Sequence, residues 1–349
     1  MNETPGRHKG TNGGSVNSSS KCTTKDLVAG TIGECGSRAI VMACDEAYAT
    51  PLATAVRSMS EANRSGRPLH IVVLTAEFSD SMKRKVEASV LKTQASFHWV
   101  NIDLSDFEEC STLPYISRVT YARLLLPYLF AKSVEKVLYL DADILVLEDL
   151  EPLWQTNLEG AVVGAVVDID SDVHAGRLDL ASKRSTSKSQ DFTAPSSYFN
   201  AGVLLVDLPR WRQESISERA MHYLGRHPNT PLSDQDALNV ACAGLWKKLD
   251  RLWNFHYGDA VYCPPSAEPS PSIIHFVGKW KPWKAAALSR NSRVYDAFRS
   301  RTQFARTNRE KARDAIHRSW ASLKRLFKQY EIVSVVYGYV THRIRPRRA

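Results

Sequence analysis

The chain has 349 residues, of which 43% are hydrophobic and 24% are charged, as in an ordinary globular protein. No apolar run approaches the roughly 18 residues that a membrane-spanning helix requires, which argues against a polytopic membrane protein. Residues 299–349 carry 14 Lys/Arg and 3 Asp/Glu, a net charge of +11, whereas the preceding residues have a net charge of −2, so the overall charge of +9 does not indicate a nucleic-acid-binding core.

The N-terminal segment and the cysteines bear on location. Residues 1–37 are predicted to form a disordered polar leader, because Gly, Ser and Asn dominate and the apolar stretch of a signal peptide is missing. The six cysteines have no C-x-x-C spacing, and we expect reduced thiols, with Cys44 and Cys242 buried. These features favour a cytoplasmic protein.

Apolar runs alternate with helical patterns from residue 38 onward. Strands are predicted at 39–44, 69–75, 97–102, 134–140, 161–167, 198–206 and 273–276. Helices are predicted at 48–64, 79–93 (with Ser79 as the N-cap), 119–130, 210–225 and 234–243, and a mobile loop at 182–197. This alternation predicts an α/β fold, with one Rossmann-like, mostly parallel sheet in a domain spanning residues 38–285.

Two carboxylates stand directly after the apolar strand predicted at 134–140. Asp141 and Asp143 are two positions apart, and the chain becomes apolar again immediately after them. Ligands of open α/β sheets bind beyond the carboxyl ends of the strands, and paired carboxylates there can share a divalent cation that bridges a diphosphate. We therefore expect a cation site in a packed setting.

The Asp-x-Asp spacing alone is weakly specific, because the chain repeats it. It recurs from Asp168 to Asp172, again after an apolar strand, and at Asp234 and Asp236. The first of these runs has Val173 where a calcium loop needs glycine, and a polar stretch follows. We interpret it as a solvated loop.

A second candidate segment begins with the strand predicted at 273–276. This strand carries His275, and Gly278 would then let the backbone approach a ligand, while Lys279 and Lys281 offer positive charge to a phosphate. A lone histidine at a strand end is more often structural. Because the carboxylate pair and the lysines accompany His275, we favour the interpretation that His275 binds a ligand.

Six segments, in this order along the chain, resemble those of family 8 glycosyltransferases, the group that includes bacterial lipooligosaccharide galactosyltransferases and glycogenin. They are Val41–Tyr48, Thr120–Leu124, Val137–Asp143, Tyr198–Val206, Ser233–Leu238 and His275–Trp283. The resemblance implies a GT-A fold, a UDP-sugar donor, Mn²⁺ or Mg²⁺, and retention of the anomeric configuration.

The resemblance also implies roles for individual residues. Asp141, Asp143 and His275 would hold the metal. The remaining donor-binding residues would be Ala43, Asp45, Tyr48, Arg123, Ala142, Asn200, Ala201, Asp234, Gln235, Gly278 and Lys281. Among these, the residues implied to serve catalysis are Gln235, Asp234 and Lys281.

Within this set, the expected contacts divide the donor into three parts. Asp45 and Tyr48 are expected to contact the uracil and ribose, and Gly278 and Lys281 the diphosphate. The donor sugar is expected to contact Asn200, Ala201, Asp234 and Gln235. Arg123 would brace the pocket. Gln235 is expected near the anomeric carbon. Its amide is a poor nucleophile and no carboxylate matches that role, so we favour same-face attack assisted by the leaving phosphate over a covalent intermediate.

Structural roles remain open for four of these residues. Arg123 could form an ordinary buried ion pair, and Asn200 could satisfy main-chain groups at a strand end. Tyr48 could be a core aromatic, and Asp234 could be a helix N-cap.

The basic tail, residues 286–349, has an apolar stripe. Steps of three or four residues separate Ile316, Trp320, Leu323, Phe327, Tyr330, Val333, Tyr337 and Val340. This pattern predicts an interfacial helix that binds anionic lipid head groups. A helix packed on the domain itself and a nucleic-acid-binding arm are the alternatives.

The sequence thus predicts a metal-dependent hexosyltransferase on the inner face of the cell membrane, with no nucleic-acid partner. It would transfer a hexose from UDP-galactose or UDP-glucose to a lipopolysaccharide core or another envelope glycolipid. A nucleotidyltransferase or pyrophosphorylase is disfavoured, because no glycine-rich loop follows the first strand. The alternative of another class is a non-catalytic protein that binds UDP-sugars or glycans at the membrane.

Overall fold

The structure, a computed structural model of the chain, describes residue 32 and residues 38–113, 117–184, 192–256, 270–279, 281–284, 290–316 and 319–320. The strands in these ranges are β1 Ala39–Ala43, β2 Leu69–Thr75, β3 Ala95–Asn101, β4 Lys136–Leu140, β5 Ile144–Val146, β6 Val163–Val167, β7 Phe199–Asp207, β8 Trp246–Lys248, β9 Phe255–His256 and β10 Ile273–His275. The α-helices are α1 Ala49–Ala62, α2 Asp80–Glu87, α3 Leu126–Leu129, α4 Glu151–Trp154, α5 Ser171–Arg184, α6 Leu208–Gln213, α7 Ile216–Arg226, α8 Ser233–Ala241 and α9 Arg290–Arg299. Short 3-10 helices occupy Glu46–Tyr48, Ser105–Phe107, Arg118–Leu125 and Arg251–Asn254.

Seven strands form the main sheet, in the order β3-β2-β1-β4-β7-β6-β8. Strands β1 to β4 pair in parallel and β8 is parallel to β6, whereas β7 is antiparallel to both β4 and β6. The predicted mostly parallel α/β sheet is confirmed. Because β7 alone is reversed between β4 and β6, its first residues lie at the same edge as the carboxyl ends of β1, β4 and β6.

A second, three-stranded sheet lies beside the main one. It has the order β5-β10-β9, with β10 antiparallel to β5 and parallel to β9. Its register pairs His275 with both Ile144 and His256. This small sheet therefore brings the end of β10 next to the turn between β4 and β5, which contains Asp143.

Side chains alternate between the two faces of the main sheet, and each face has its own apolar cluster. Ile40 and Met42 pack with Leu52 of α1 on one face. Val41 and Trp211 of α6 belong to the cluster on the other face, together with residues of α7 and α8. Burial of both faces explains why the central strands are almost continuously apolar rather than alternating.

One helix predicted from the sequence is built differently. Residues 119–130, expected to be a single α-helix, form the 3-10 helix Arg118–Leu125 followed by the single turn α3. Pro127 stands within the first two positions of α3, where it starts a new turn but cannot donate the hydrogen bond that would continue the preceding helix.

The helix predicted at 210–225 is also divided. It forms α6 and α7, and Ser215 between them has φ 50°, a left-handed conformation. Trp211 and Ile216, on either side of the break, are both fully buried. The change in direction thus allows both helices to pack on the sheet.

Three further sequence predictions concern the cap at Ser79, the cysteines and the loop at 182–197. Ser79 caps α2 by accepting a hydrogen bond from the Met82 amide, as predicted, although α2 ends at Glu87. Cys44 and Cys242 are buried thiols, and burial raises the pKa of Cys242 to about 12. Helix α5 extends into the predicted loop 182–197, of which residues 185–191 lie outside the described ranges.

The two ends of the chain are only partly described. Of the predicted leader, the structure describes Ile32, which is buried and bridges to Phe130. In the predicted tail, α9 packs on α1, with Tyr295 fully buried and Arg301 paired with Glu61 at 2.7 Å. The folded body therefore continues past the expected boundary at residue 285, because side chains between residues 292 and 306 pack against it.

The amphipathic stripe lies mostly outside the described residues. Its first two members, Ile316 and Trp320, are each 59% exposed. The positions from Leu323 to Val340 are not described. Within the described ranges, no helix combines the length and the hydrophobicity that crossing a bilayer requires.

A buried carboxylate, Asp236, connects α8 with three other segments. It accepts hydrogen bonds from Tyr198 Oη at 2.6 Å, Thr230 Oγ1 at 2.5 Å and the Leu232 amide at 3.1 Å, and it pairs with Arg177 of α5. We expect Asp236→Ala to lower the free energy of unfolding by about 3–5 kcal/mol, because it leaves these buried groups unpaired. Urea unfolding followed by tryptophan fluorescence measures this loss; a loss below about 1 kcal/mol would contradict it.

Candidate active site

A cavity of about 360 Å³ opens at the edge where β1, β4 and β6 end and β7 begins. Of the predicted site residues, the ones lining it are Ala43, Asp45, Tyr48, Arg123, Asp141, Ala142, Asp143, Asn200, Asp234, Gln235, His275, Gly278 and Lys281. Ala201 is buried beside them, and its main-chain N–H donates to Gln235 Oε1 at 3.0 Å. The structure therefore brings all the predicted site residues together.

Asp143, His275 and Lys281 form a buried polar cluster in the cavity. His275 Nε2 lies 3.1 Å from Asp143 Oδ1, and Lys281 Nζ donates to Asp143 Oδ2 and, at 2.7 Å, to the carbonyl of Phe276. Burial opposes ionisation of Asp143, but the positive charge beside it, that of Lys281 above all, lowers the pKa of this carboxyl. Asp143 is thus held as a carboxylate.

Asp141 stands beside this group and is held from the opposite side. Its Oδ1 accepts hydrogen bonds from Arg123 Nη2 and Tyr139 Oη, both at 3.0 Å. Its Oδ2 lies 3.7 Å from His275 Nε2. One oxygen is therefore used in fixing the carboxylate, and the other faces the histidine.

Arg123 links this carboxylate to the sugar-binding side predicted at α8. Its Nε lies 2.8 Å from Asp234 Oδ2 without hydrogen-bond alignment and donates instead to the Thr120 carbonyl at 3.1 Å. Burial raises the pKa of Asp234, and Arg123 offsets part of that shift. Arg123 does form the buried ion pair considered as an alternative, and it does so in the wall of the cavity.

Asp234 is not a helix N-cap. Leu232 occupies the capping position of α8, and Ser233, with φ 55°, is its first residue. The Asp234 side chain instead accepts a hydrogen bond from Thr120 Oγ1 at 3.0 Å. Its carboxylate is therefore fixed across the cavity wall rather than used by its own helix.

The interpretation of the run from Asp168 to Asp172 as a solvated loop holds for the exposed Ile169 and Asp170 but is wrong for Asp168. Asp168 is 7% exposed, and its Oδ2 accepts hydrogen bonds from Asn200 Nδ2 at 3.1 Å and, at the limit of 3.5 Å, from Gln235 Nε2. The polar residues after it form α5, which supplies Arg177 to the buried Asp236. The end of an apolar strand at the ligand-binding edge was the signal that could have identified Asp168.

Two further residues of the site had no sequence signal. Asn254 is 2% exposed and its Oδ1 lies 2.9 Å from His275 Nδ1. His256 lines the cavity, and burial is the largest cause that lowers its pKa to about 4. Asn254 ends the 3-10 helix Arg251–Asn254 and His256 lies in the two-residue strand β9, and both elements are too short to be recognised from periodicity.

The side of the cavity that is predicted to bind the nucleotide combines an aromatic side chain with a carboxylate. Tyr48 contacts Trp283 edge to face, with 5.6 Å between ring centroids, and burial followed by the charge of Asp143 raises the pKa of its hydroxyl. Asp45 Oδ1 is buried and has no hydrogen-bond partner among the described residues. Gly278, with φ 80°, adopts a backbone conformation that favours glycine.

Comparison with known proteins gives a consistent result. The sequence model of Glycosyl transferase family 8 matches residues 39–287. General stress protein A of Bacillus subtilis is 27% identical over 261 residues, which cover 70% of this chain and 87% of that protein. Lipopolysaccharide 1,3-galactosyltransferase of Salmonella typhimurium is 30% identical over 220 residues, 59% of this chain and 62% of that protein.

Solved structures resemble the fold as well. The galactosyltransferase LgtC, crystallised with donor and acceptor sugar analogues, superposes with a TM-score of 0.63 at 26% identity and covers 76% of this chain and 96% of LgtC. The glycosyltransferase GlyE of Streptococcus pneumoniae has a TM-score of 0.55 at 24% identity and covers 75% of this chain and 60% of GlyE, which supports the fold alone. The predicted GT-A fold is confirmed by these similarities.

Proposed function

Because the chain belongs to glycosyl transferase family 8, we propose that it is a retaining hexosyltransferase that uses UDP-galactose or UDP-glucose as its donor. The observation that carries the proposal is the convergence of Asp141, Asp143 and His275 with Lys281 and Gln235 in one cavity. This arrangement combines groups for a cation, a diphosphate and a sugar at the ligand-binding edge of the sheet.

The residues present fit a divalent cation. Asp141, Asp143 and His275 each offer a ligand atom, and these atoms lie within 4.8 Å of one another. The space around them depends on Gly202, where a Cβ would stand 2.9 Å from Asp141 Oδ2 and even closer to the His275 ring. Carboxylate oxygens and an imidazole nitrogen suit Mn²⁺, and the bound ion would supply positive charge at the diphosphate.

The side chain of Lys281 and the backbone at Gly278 can stabilise the departing UDP. Lys281 is 5% exposed and needs only to turn from Asp143 towards the diphosphate to neutralise the charge that develops on UDP. Gly278 leaves open space where a side chain would begin, since apart from its chain neighbours no atom of the described residues lies within 4 Å of the position its Cβ would take. The backbone there can approach phosphate oxygens.

On the sugar side, fixed amides and carboxylates orient the donor hexose. Asn200 and Asp234 are held by hydrogen bonds and present polar atoms to hydroxyl groups. Gln235 Oε1 accepts a hydrogen bond from the Ala201 amide, which supports a role beside the donor sugar rather than one as a nucleophile. We therefore favour same-face attack by the acceptor hydroxyl, with its proton passing to the leaving phosphate.

The acceptor is proposed from the relatives and from the tail. A lipopolysaccharide core or a similar envelope glycolipid is proposed because one relative is a lipopolysaccharide galactosyltransferase. Ile316 and Trp320 are exposed where the apolar stripe begins, in a segment rich in Arg and Lys. This combination supports peripheral binding to the inner face of the cell membrane.

Release of UDP tests the proposal directly. We expect the purified protein to release UDP from one member of a UDP-sugar panel when Mn²⁺ is present, and to lose that release when EDTA removes the metal. Release that is the same with and without metal would contradict the proposed cation. No release from any donor, even with envelope glycolipid added, would favour the non-catalytic binding protein.

A further inference from the structure

Two buried asparagine side chains connect His275 with Asp168. His275 Nδ1 lies 2.9 Å from Asn254 Oδ1, Asn254 Nδ2 donates to Asn200 Oδ1 at 2.9 Å, and Asn200 Nδ2 donates to Asp168 Oδ2 at 3.1 Å. Asn254 and Asn200 are only 2% and 4% exposed. The relay therefore runs through the protein interior, from the candidate metal site to the sugar side of the cavity.

The direction of these hydrogen bonds is fixed at one end by a main-chain group. The N–H of Gly202 can only donate, and it donates to Asn200 Oδ1 at 3.0 Å. The amide nitrogen of Asn200 must then face Asp168, whose carboxylate accepts. Because Asn200 Oδ1 is an acceptor, Asn254 turns its own nitrogen towards Asn200 and its oxygen towards His275.

This direction determines the tautomer of His275. Asn254 Oδ1 can only accept, so the proton of the neutral imidazole is on Nδ1. The lone pair of Nε2 consequently faces Asp143 Oδ1 at 3.1 Å and Asp141 Oδ2 at 3.7 Å. Three electron-rich atoms pointing at one another repel unless a cation lies between them.

We infer that Asn254 is a positioning residue that presents the Nε2 lone pair of His275 to the divalent cation and couples the metal site to the sugar-binding Asn200. The inference rests on the proposed function and adds a residue to it. Partners of this kind orient metal-ligating histidines, and their loss typically weakens metal binding by about 10–100-fold.

Two substitutions distinguish the hydrogen bond that the Asn254 amide oxygen accepts from the one that its nitrogen donates. Asn254→Ala removes both hydrogen bonds, and we expect a 10–100-fold weaker Mn²⁺ affinity and a raised KM for the donor. Asn254→Asp still accepts the His275 Nδ1 proton but cannot donate to Asn200. We expect this variant to bind Mn²⁺ within about threefold of the wild-type affinity, because a carboxylate is itself a common partner of ligating histidines, while its donor KM rises at least tenfold.

The measurement is a titration of the metal-free protein with Mn²⁺, followed by the electron paramagnetic resonance signal of the free ion, alongside donor kinetics. Asn239→Ala is the matched control, since the hydrogen-bond partners of this buried asparagine among the described residues are main-chain groups of Phe199 and Gln235. We expect it to lower the melting temperature without changing the Mn²⁺ affinity of the folded protein.

Each outcome decides a different question. If folded Asn254→Ala binds Mn²⁺ as tightly as the wild type, or if the Asp and Ala variants lose equal affinity, the positioning role of Asn254 is overturned while the proposed function stands. If the wild-type protein itself binds no Mn²⁺, the metal-dependent function and the positioning role both fail.

Discussion

Replacement of Asp143 by alanine is expected to abolish Mn²⁺ binding and to lower metal-dependent UDP release by at least about 10³-fold. Asp143 is one of three candidate cation ligands and also the carboxylate paired with Lys281. A bound cation contributes several kcal/mol of transition-state stabilisation, and each 1.4 kcal/mol corresponds to a factor of ten in rate. UDP release and Mn²⁺ titration of the same preparation measure the two losses.

The chain offers a matched control for this substitution. Asp172 belongs to the Asp-x-Asp run that begins at Asp168, is exposed, and does not line the cavity. Asp172→Ala should retain wild-type turnover and lose at most about 1 kcal/mol of stability, because it removes an acidic residue from the first turn of α5. Asp143→Asn keeps the size of the side chain and removes its charge; near-normal Mn²⁺ affinity in this variant would refute the assignment of Asp143 as a ligand.

Much of the site could be predicted because its residues follow recognisable strands. Asp141 and Asp143 directly follow β4, and the apolar run before them identifies both the strand and the edge at which ligands bind. His275 is likewise carried by an apolar strand. For these residues, the local sequence contains the information that determines their position.

The missed residues depend on contacts between distant segments. Asn254 reaches His275 because β9 and β10 pair in a small sheet, and a two-residue strand has no period that a sequence pattern could reveal. Asp168 was misread because its polar neighbours resemble a loop, whereas Arg177 and the buried Asp236 hold them as a helix. In both cases tertiary hydrogen bonds, not local preference, determine the structure.

The backbone of β7 at Gly202 lies directly against the candidate metal ligands. It lies on β7, and its carbonyl accepts a hydrogen bond from the Asp141 amide at 2.8 Å. A methyl group there would stand 2.7 Å from His275 Nδ1 and 2.9 Å from Asp141 Oδ2, distances at which something must move. We expect Gly202→Ala to displace both candidate ligands and to reduce UDP release by at least about 10²-fold, since a misplacement of 1 Å can cost that much.

A control substitution at another glycine distinguishes this clash from the general effect of replacing a glycine by alanine. Gly225 in α7 has no positive φ, and outside its own helix backbone and chain neighbours no atom of the described part of the chain lies within 4 Å of its Cβ position. Gly225→Ala should therefore leave turnover unchanged and raise stability by roughly 0.5–1 kcal/mol.

The steric argument also predicts that Gly202→Ala and His275→Ala are not additive. Once the imidazole is removed, the new methyl group has lost its closest neighbour, so the substitution at position 202 should cost much less Mn²⁺ affinity and stability in the His275→Ala background than in the wild type. A double-mutant cycle on the melting temperature of the metal-free protein measures this without relying on activity. An equal cost in both backgrounds would show that the methyl group acts on β7 or on Asp141 alone and that the spacing between Gly202 and His275 does not limit the metal site.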